Sequence, residues 1–361
     1  MSDFSWKEIL KLVSMGEHII GPQAYWAMSE IMSGTATDAQ IGGLAIGLRA
    51  KGETAPEING MVTAMLESAI PVTLDRDAVD VVGTGGDGAH TVNISTMAAL
   101  TVAGAGIPVL KHGNRAVSSK CGTADVLEAC GVAIDMPPTL VSSCVADAGI
   151  GFCYAPAHHP AMRYAAGPRK ELGVPTVFNV LGPLANPGQP KAALIGCADP
   201  RLAPVLAQVQ LERQKHSIIV RSDSGLDELA TDSTSQVWDV TSGEMRHEVL
   251  DPRALRLRPS SAEDLRGGDA QYNASVLVDI VQGRNDGKYE VIRDVVALNA
   301  AAAMVAYDAS TGQERFGSVD ESVVIRIARA LPVAFQSLNS GSAGMVLELW
   351  VLVSQRFTFG Q

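Results

Sequence analysis

The feature that most limits what this chain can fold into is a strand, glycine turn and helix start compressed into residues 79–100. Val79 to Val82 is a short β-branched run that reads as a buried strand stopping at Gly83. Gly83, Gly85, Gly86 and Gly88 then remove the Cβ atoms that would keep a ligand off the backbone. Asn93, Ser95 and Thr96 suit a helix N-cap, and the apolar run from Met97 to Leu100 behind them reads as helical. Such a junction clusters backbone N–H groups, so a phosphate cradle is expected there. Gly83, Gly85 and Gly88 also satisfy the G-x-G-x-x-G spacing of dinucleotide folds, which needs an acidic residue about 20 positions on. No Asp or Glu occurs between Asp87 and Asp125, which argues against that fold. The same acid-free stretch holds Lys111, Arg115 and Lys120, in a chain of formal net charge −11.

The length of 361 residues suits one large domain and a smaller one, and 35 glycines with 47% hydrophobic residues suit a compact α/β protein. The acidic balance argues against non-specific binding to nucleic acid or to an anionic membrane. The five cysteines are scattered and form no C-x-x-C pair, as expected for reduced thiols in the cytoplasm. The first residues lack a signal-peptide pattern, and the apolar run Met345 to Val353 is interrupted by Glu348 and too short to span a bilayer.

Residues 1 to about 70 read as helices announced by Ser5 with Glu8, Thr37 with Gln40 and Thr54 with Glu57. Ile9, Leu12 and Val13, then Ile41, Leu44, Ala45 and Leu48, form apolar stripes at helical period. Gly42, Gly43 and Gly47 would let another helix approach closely, so this unit is expected to pack on the main domain or on a second subunit. From about residue 75 strands alternate with helices, the pattern of a parallel sheet. Ile107 to Leu110 reads as a second strand, followed by a polar loop from Lys111 to Thr123 and a helix from Ala124 to Cys130 stopped by Gly131. Both polar loops therefore follow strand C-termini, where open α/β sheets place ligands. Lys111 and Arg115 offer charge, and Ser118, Ser119 and Thr123 offer hydroxyls.

His158 and His159 invite a metal reading, but no carboxylate or Cys stands at ligand spacing. Ala193 to Cys197 and Ser217 to Val220 read as core strands around a helix from Ala203 to Glu212. Asp227 and Glu228 follow the second of these strands. Adjacent carboxylates there are costly unless a cation joins them, and a hydrated Mg²⁺ carried by a phosphate ligand would serve. Ser235 to Val240 and Glu244 to Leu250 suggest a hairpin, while Arg266-Gly-Gly-Asp269 and Asn273 precede a helix. Glu290 to Tyr307 reads as a long core helix, and the tail from Asp320 as helix interrupted near Pro332.

Taken together, the motifs resemble the anthranilate phosphoribosyltransferase family. They are Gly83-Thr-Gly-Gly-Asp87, Thr91-x-Asn-Ile-Ser-Thr96, Lys111-His-Gly-Asn-Arg-Ala-Val-Ser-Ser119, Ala124-Asp-Val-Leu-Glu-Ala129, His159-Pro-Ala-Met162, Phe178-Asn-x-Leu-Gly-Pro-Leu184 and Gly225-Leu-Asp-Glu228. The resemblance runs to about residue 305. It implies an α/β fold of the nucleoside phosphorylase/phosphoribosyltransferase type, with a small N-terminal helical domain and a large α/β domain built on a mostly parallel central sheet. The expected boundaries are 1–72, joined by part of 156–185, and 73–361. The implied reaction transfers the phosphoribosyl group of phosphoribosyl pyrophosphate to the amine of anthranilate in tryptophan biosynthesis. Two Mg²⁺ ions, a homodimer through the helical domain, a cytoplasmic location, and no nucleic-acid or membrane partner complete the expectation.

Residue by residue, the resemblance implies that the sugar diphosphate meets Gly83, Gly86, Asp87, Thr91, Asn93, Ile94, Ser95, Thr96 and Thr123. It extends that set through Lys111, His112, Gly113, Asn114, Arg115, Ala116, Val117, Ser118 and Ser119. Anthranilate would meet Gly83, Asn114 and Arg169, and Ser95, Asp227 and Glu228 would position Mg²⁺. No acid or base is assigned, although His112 stands where it could relay a proton. The chain departs from the family pattern at Thr123, Pro175 and Arg221-Ser222, and Cys121 and Cys130 are unusual there. A pyrimidine nucleoside phosphorylase and a catalytically silent nucleic-acid-binding homologue are the rival readings.

Overall fold

The computed structural model describes residues 4–116, 120–284 and 287–356. Four helices come first, α1 (Trp6–Ser14), α2 (Gly21–Ser33), α3 (Asp38–Lys51) and α4 (Ala55–Glu67). Their starts use the side chains expected of them. The Ser5 hydroxyl accepts the Glu8 N–H at 3.3 Å, and Thr37 and Gln40 cap each other at 3.3 and 2.8 Å. Glu57 accepts the Thr54 N–H at 2.9 Å from a buried position and pairs with Lys51 at 2.7 Å. Two glycines of α3, Gly43 and Gly47, serve this bundle itself, whereas a Cβ on Gly42 would meet nothing within 4 Å. A Cβ on Gly43 would lie 3.2 Å from Leu10, and one on Gly47 would lie 2.9 Å from the Val13 Cβ, so the close approach they allow is to α1 of the same chain.

The α/β part begins with β1 (Val79–Gly83), α5 (Ile94–Gly104), β2 (Val109–Gly113), α6 (Thr123–Ala129), α7 (Pro138–Ala148) and β3 (Ile150–Tyr154). A helical excursion follows through α8 (Ala155–His158), α9 (Arg163–Leu172) and α10 (Phe178–Leu181). The chain then returns to β4 (Ala192–Gly196), α11 (Ala203–Glu212), β5 (His216–Ser222), β6 (Ser235–Asp239) and β7 (Arg246–Leu250). Four helices end it, α12 (Ala270–Val281), α13 (Glu290–Thr311), α14 (Val323–Asn339) and α15 (Ser342–Gln355).

The strands form one sheet in the order β3-β2-β1-β4-β5-β6-β7, parallel from β3 to β5 and antiparallel from there to β7. Its central strands are apolar on both faces because both are covered. Val79, Val81, Leu194, Ile218 and Val220 enter one core with α5 and α13; Val82, Ile195 and Ile219 enter the other with α11 and the N-terminal bundle. Ala165, Val177, Phe178 and Leu181 of the excursion join the second core.

Two expectations are corrected. The second strand starts at Val109, because Pro108 has no N–H to give and only its carbonyl, accepting the Val79 N–H at 3.0 Å, enters the ladder; it carries Lys111 and His112 because they pair with Phe152 and Cys153 of β3. Helix α14 runs through Pro332 without interruption, and the proline sits on the exposed face, where the partnerless carbonyl is on the solvent side. Among the described residues no helix is long and apolar enough to cross a membrane.

Candidate functional site

The C-terminal ends of β1, β2, β4 and β5 open on one side of the sheet, and the residues after them meet there. Gly83 ends β1 opposite Gly196 of β4, and the Thr84 N–H donates to the Gly196 carbonyl at 2.9 Å. Asp227, reached from β5, lies across this junction and its Oδ2 accepts the Gly85 N–H at 2.6 Å. The packing explains two glycines. A Cβ on Gly83 would strike the Asp227 carboxyl, and one on Gly196 would strike the Asp227 main-chain carbonyl. Gly85, Gly86 and Gly88 take φ of +64°, +82° and +70°, the left-handed conformations in which a side chain is costly.

Three carboxyl groups converge on this point. Burial first, then the Asp87 carboxylate, pushes Asp227 above the usual carboxylate range. Glu228 is pushed up by burial and by Asp227, with Lys111 pulling the other way. The Lys111 side chain is 1% exposed. Its ammonium donates to the Val81 carbonyl and to Ser95 Oγ at 3.2 Å, and burial lowers its pKa against the pull of Asp80, Glu228 and Asp227. Among the described residues no three His, Cys, Asp or Glu side chains form a ready-made metal cage. A clustered set of costly carboxylates with one lysine nevertheless fits Mg²⁺, which takes one or two protein carboxylates and completes its shell with water and phosphate oxygens.

Several expected ligands turn out to be committed within the fold. Arg115 is tied to Glu128 at 2.7 and 2.9 Å, to Asp125 at 3.0 Å and to the Tyr154 hydroxyl at 3.2 Å, so its charge is turned away from the cradle. The Ala116 N–H donates to Asp125 at 2.9 Å. His112 is buried in β2, its Nδ1 donates to the Gly182 carbonyl at 2.9 Å, and burial followed by the His159 ring depresses it to about 3, too low for a proton relay at neutral pH. Ile94 and Thr96 are buried in the first turn of α5, where their N–H groups go to the carbonyls of Val92 at 2.7 Å and Asn93 at 3.2 Å. Gly113 ends β2 against Phe152 and Thr123, which opens α6. Thr91 forms a bridge with Arg266, and Asn93 is held by Cys121 and Asn273. Val117, Ser118 and Ser119 lie outside the described residues.

The histidine pair holds backbone rather than metal. His158 Nδ1 donates to the Ile70 carbonyl at 3.0 Å and His159 Nε2 to that of Ala185 at 2.8 Å. Asn114, exposed, accepts the Arg115 N–H at 2.8 Å through its side chain. Arg169 sits in the last turn of α9, half-buried, with its guanidinium 5.6 Å from the Phe178 ring centre. It has no ion pair among the described residues, and burial alone lowers its pKa.

Two positioning residues escaped the sequence reading. Asn299 of α13 accepts the Leu229 N–H at 3.0 Å and donates to the Leu229 carbonyl at 2.8 Å, which clamps the residue after Glu228. Asp80, buried in β1, accepts the His112 N–H at 3.2 Å and the Asn186 side chain at 2.9 Å, and burial pushes it up to about 6. An amide inside an alanine-rich core helix and an acid inside a β-branched strand were the available signals.

The α/β-domain model of a glycosyl transferase family matches residues 75–341, and its helical-bundle model matches residues 7–69. The chain is 49% identical over 346 residues to the anthranilate phosphoribosyltransferase of Saccharopolyspora erythraea, covering 96% of this chain and 95% of that one. It is 48% identical to that of Salinispora arenicola, covering 98% of each. The crystal structure of the Thermus thermophilus anthranilate phosphoribosyltransferase superposes with a TM-score of 0.86 at 35% identity, covering 96% of this chain and 99% of that one. The Saccharomyces cerevisiae enzyme in complex with phosphoribosyl pyrophosphate and Mg gives 0.85 at 25% identity, covering 98% and 99%.

Proposed function

The chain belongs to the anthranilate phosphoribosyltransferases of this glycosyl transferase family, and from that premise we infer how its residues carry the reaction. The enzyme transfers the phosphoribosyl group of phosphoribosyl pyrophosphate to the amine of anthranilate and releases pyrophosphate, a step of tryptophan biosynthesis. The observation that carries the reading of the site is the meeting of the glycine loop with the Asp227-Glu228 pair, locked by the Gly85 N–H at 2.6 Å.

In this reading the loop from Gly83 to Gly88, with Thr91, Asn93 and Thr123, receives the sugar diphosphate. Mg²⁺ is the cofactor, and we assign two ions to a group formed by Asp227, Glu228 and Ser95; the excess of carboxyl groups over lysines supports more than one. When bound, the metal neutralises charge on the departing pyrophosphate. Lys111 keeps the acidic pair from being wholly uncompensated and holds Ser95 Oγ in place. Arg169, half-buried and without a carboxylate partner among the described residues, suits the carboxylate of anthranilate, and Asn114 offers an exposed amide to orient the acceptor.

An aromatic amine is uncharged near pH 7, so it attacks the ribosyl carbon without prior deprotonation. A neutral His112 is consistent with that requirement, since no general base is needed. Rate enhancement then rests on alignment and on preorganised donors. The reading includes a homodimer through the helical unit, supported by exposed Met15, Ile20 and Ile46, and a cytoplasmic location, supported by Cys130, Cys144, Cys153 and Cys197 being outside any disulfide. Incubation with phosphoribosyl pyrophosphate, Mg²⁺ and anthranilate tests the whole. Anthranilate fluorescence should fall only when all three are present, and a steady signal in the complete mixture refutes the assignment.

A further inference from the structure

The run Arg266-Gly-Gly-Asp269 with Asn273 plays no part in the transfer as described, yet it is built against residues 90–93, the exit of the glycine loop. The Gly267 N–H donates to the His90 carbonyl at 2.8 Å, and the Val92 N–H donates to the Leu265 carbonyl at 2.9 Å. A Cβ on Gly267 would lie 2.6 Å from the Thr91 carbonyl oxygen, so the two backbones approach as closely as glycine allows. Asp269 caps α12 by accepting the Tyr272 N–H at 2.9 Å, which sets Asn273 in the first turn of that helix.

Asn273 is 2% exposed and its amide is used at both ends. Its Oδ1 accepts the Gly268 N–H at 2.8 Å, which leaves Nδ2 to donate to Asn93 Oδ1 at 2.9 Å. Asn93 Nδ2 in turn donates to the Cys121 carbonyl at 3.3 Å. Cys121 and Gly122 lead directly into Thr123, and the Gly122 N–H is fixed on Asp125 at 2.8 Å. The Asn273 side chain thus joins the 266–268 turn to the exit of the glycine loop, and the Asn93 side chain carries the link on to the end of the second polar loop. Each amide orientation in this relay is dictated by the next partner, so the relay has no alternative arrangement that satisfies all its donors.

We propose that Asn273 is a positioning residue for the sugar-diphosphate site, holding Asn93 and, through it, the Cys121 carbonyl, so that the two ligand loops keep a fixed separation. This rests on the assignment of Thr91, Asn93 and Thr123 to phosphoribosyl pyrophosphate. Asn273 touches no substrate; it acts through Asn93. Removing it leaves the Gly268 N–H without its partner and Asn93 Oδ1 with only the weak Cys121 thiol donor at 3.5 Å, which loosens the loops from each other.

The test compares wild type with Asn273→Ala and Asn273→Asp. The aspartate keeps an acceptor for the Gly268 N–H but cannot donate to Asn93. Both KM values, kcat, Mg²⁺-dependent binding of phosphoribosyl pyrophosphate by calorimetry and the thermal unfolding midpoint are measured. Both variants should raise the phosphoribosyl pyrophosphate KM and Kd by roughly 5- to 50-fold, the range for breaking a buried hydrogen bond. The anthranilate KM should stay within about twofold, since uniform damage would move both substrates. A lowered midpoint with unchanged phosphoribosyl pyrophosphate binding, or an equal rise in both KM values, overturns the proposal. If neither variant folds, Gly267→Ala presses the same segment from the other side and must show the same substrate-selective loss. Failure of the wild type to bind phosphoribosyl pyrophosphate removes the site assignment itself, and the proposal with it, a result distinct from either of the others.

Discussion

Gly83→Ala is the sharpest perturbation of the acidic pair that leaves both acids in place. The new Cβ would overlap Asp227 Oδ2 and sit 3.1 Å from its Cγ, whereas ordinary contact begins at 3.4 Å. The strand cannot yield, because Gly83 is paired with Gly196 of β4 in the middle of the sheet. The carboxyl must therefore move, and its 2.6 Å bond from the Gly85 N–H is the contact it gives up. A hydrogen bond to a charged group is worth about 1.5–3 kcal/mol, which corresponds to roughly 10- to 150-fold. A shift of ~1 Å in a positioning group alone costs on the order of 100-fold in rate. The two effects describe one displacement, so the expected loss in kcat/KM for phosphoribosyl pyrophosphate is about 100-fold rather than their product. The assay is anthranilate fluorescence decay across a Mg²⁺ titration. The variant should need more Mg²⁺ for half-maximal rate. A normal Mg²⁺ requirement, or a loss confined to anthranilate, would refute the reasoning that Asp227 answers to Gly83.

Further outcomes are expected. Arg169→Ala should raise the anthranilate KM by roughly 10- to 150-fold through loss of a charge-assisted contact, and a loss confined to phosphoribosyl pyrophosphate would move Arg169 to the phosphate site. His159 is depressed to about 4 by burial, so below its ordinary value of 6.5 the unfolded chain takes a proton that the native state refuses. Stability is therefore lost as pH falls from 6.5 towards 4, by about 2 kcal/mol at pH 5 from this residue. Urea unfolding should show a smaller drop between pH 7 and pH 5 in His159→Gln than in wild type; equal drops would contradict it. Sedimentation at micromolar concentration should show a dimer, and a Met15→Glu, Ile46→Glu double variant should shift it towards monomer.

The helical bundle and the order of strands and helices were legible because both depend on local signals. Caps such as Thr37 with Gln40 and the apolar runs at Val79 and Ala193 act within a few residues of chain. The roles of the polar loop were harder to read because they depend on which partner a side chain finds in space. Arg115 looked available from its position beside Lys111, but Glu128 and Asp125 on the following helix claim it. Lys111 reads as a loop residue from its polarity, but pairing with Phe152 of β3, 41 residues on, puts it inside the sheet. Gly43 and Gly47 carry the signature of close helix packing, which is indifferent to whether the neighbour is α1 or another subunit. Asn299 and Asn273 act across 70 and 180 residues of sequence, beyond the reach of any local pattern.

A chain of net charge −11 must still accept a polyanionic substrate, and the site shows how the conflict is resolved locally. Two cations of the second polar loop are already engaged: Arg115 is paired with its acidic neighbours and Lys111 is sunk between Asp80 and Glu228. In the proposed reading, attraction by side-chain charge is therefore weak here, and binding comes from backbone donors and from metal bound with the diphosphate. One of those donors, the Gly85 N–H, is held by the Asp227 carboxyl. A diphosphate arriving without metal would have to displace that carboxyl and then lie beside the pair. A diphosphate arriving with Mg²⁺ brings the charge those carboxylates lack, so the same two acids that repel the bare substrate attract the complex. In the proposed reading, discrimination between the two forms then follows from placing an acid of the pair, Asp227, on an anion donor itself.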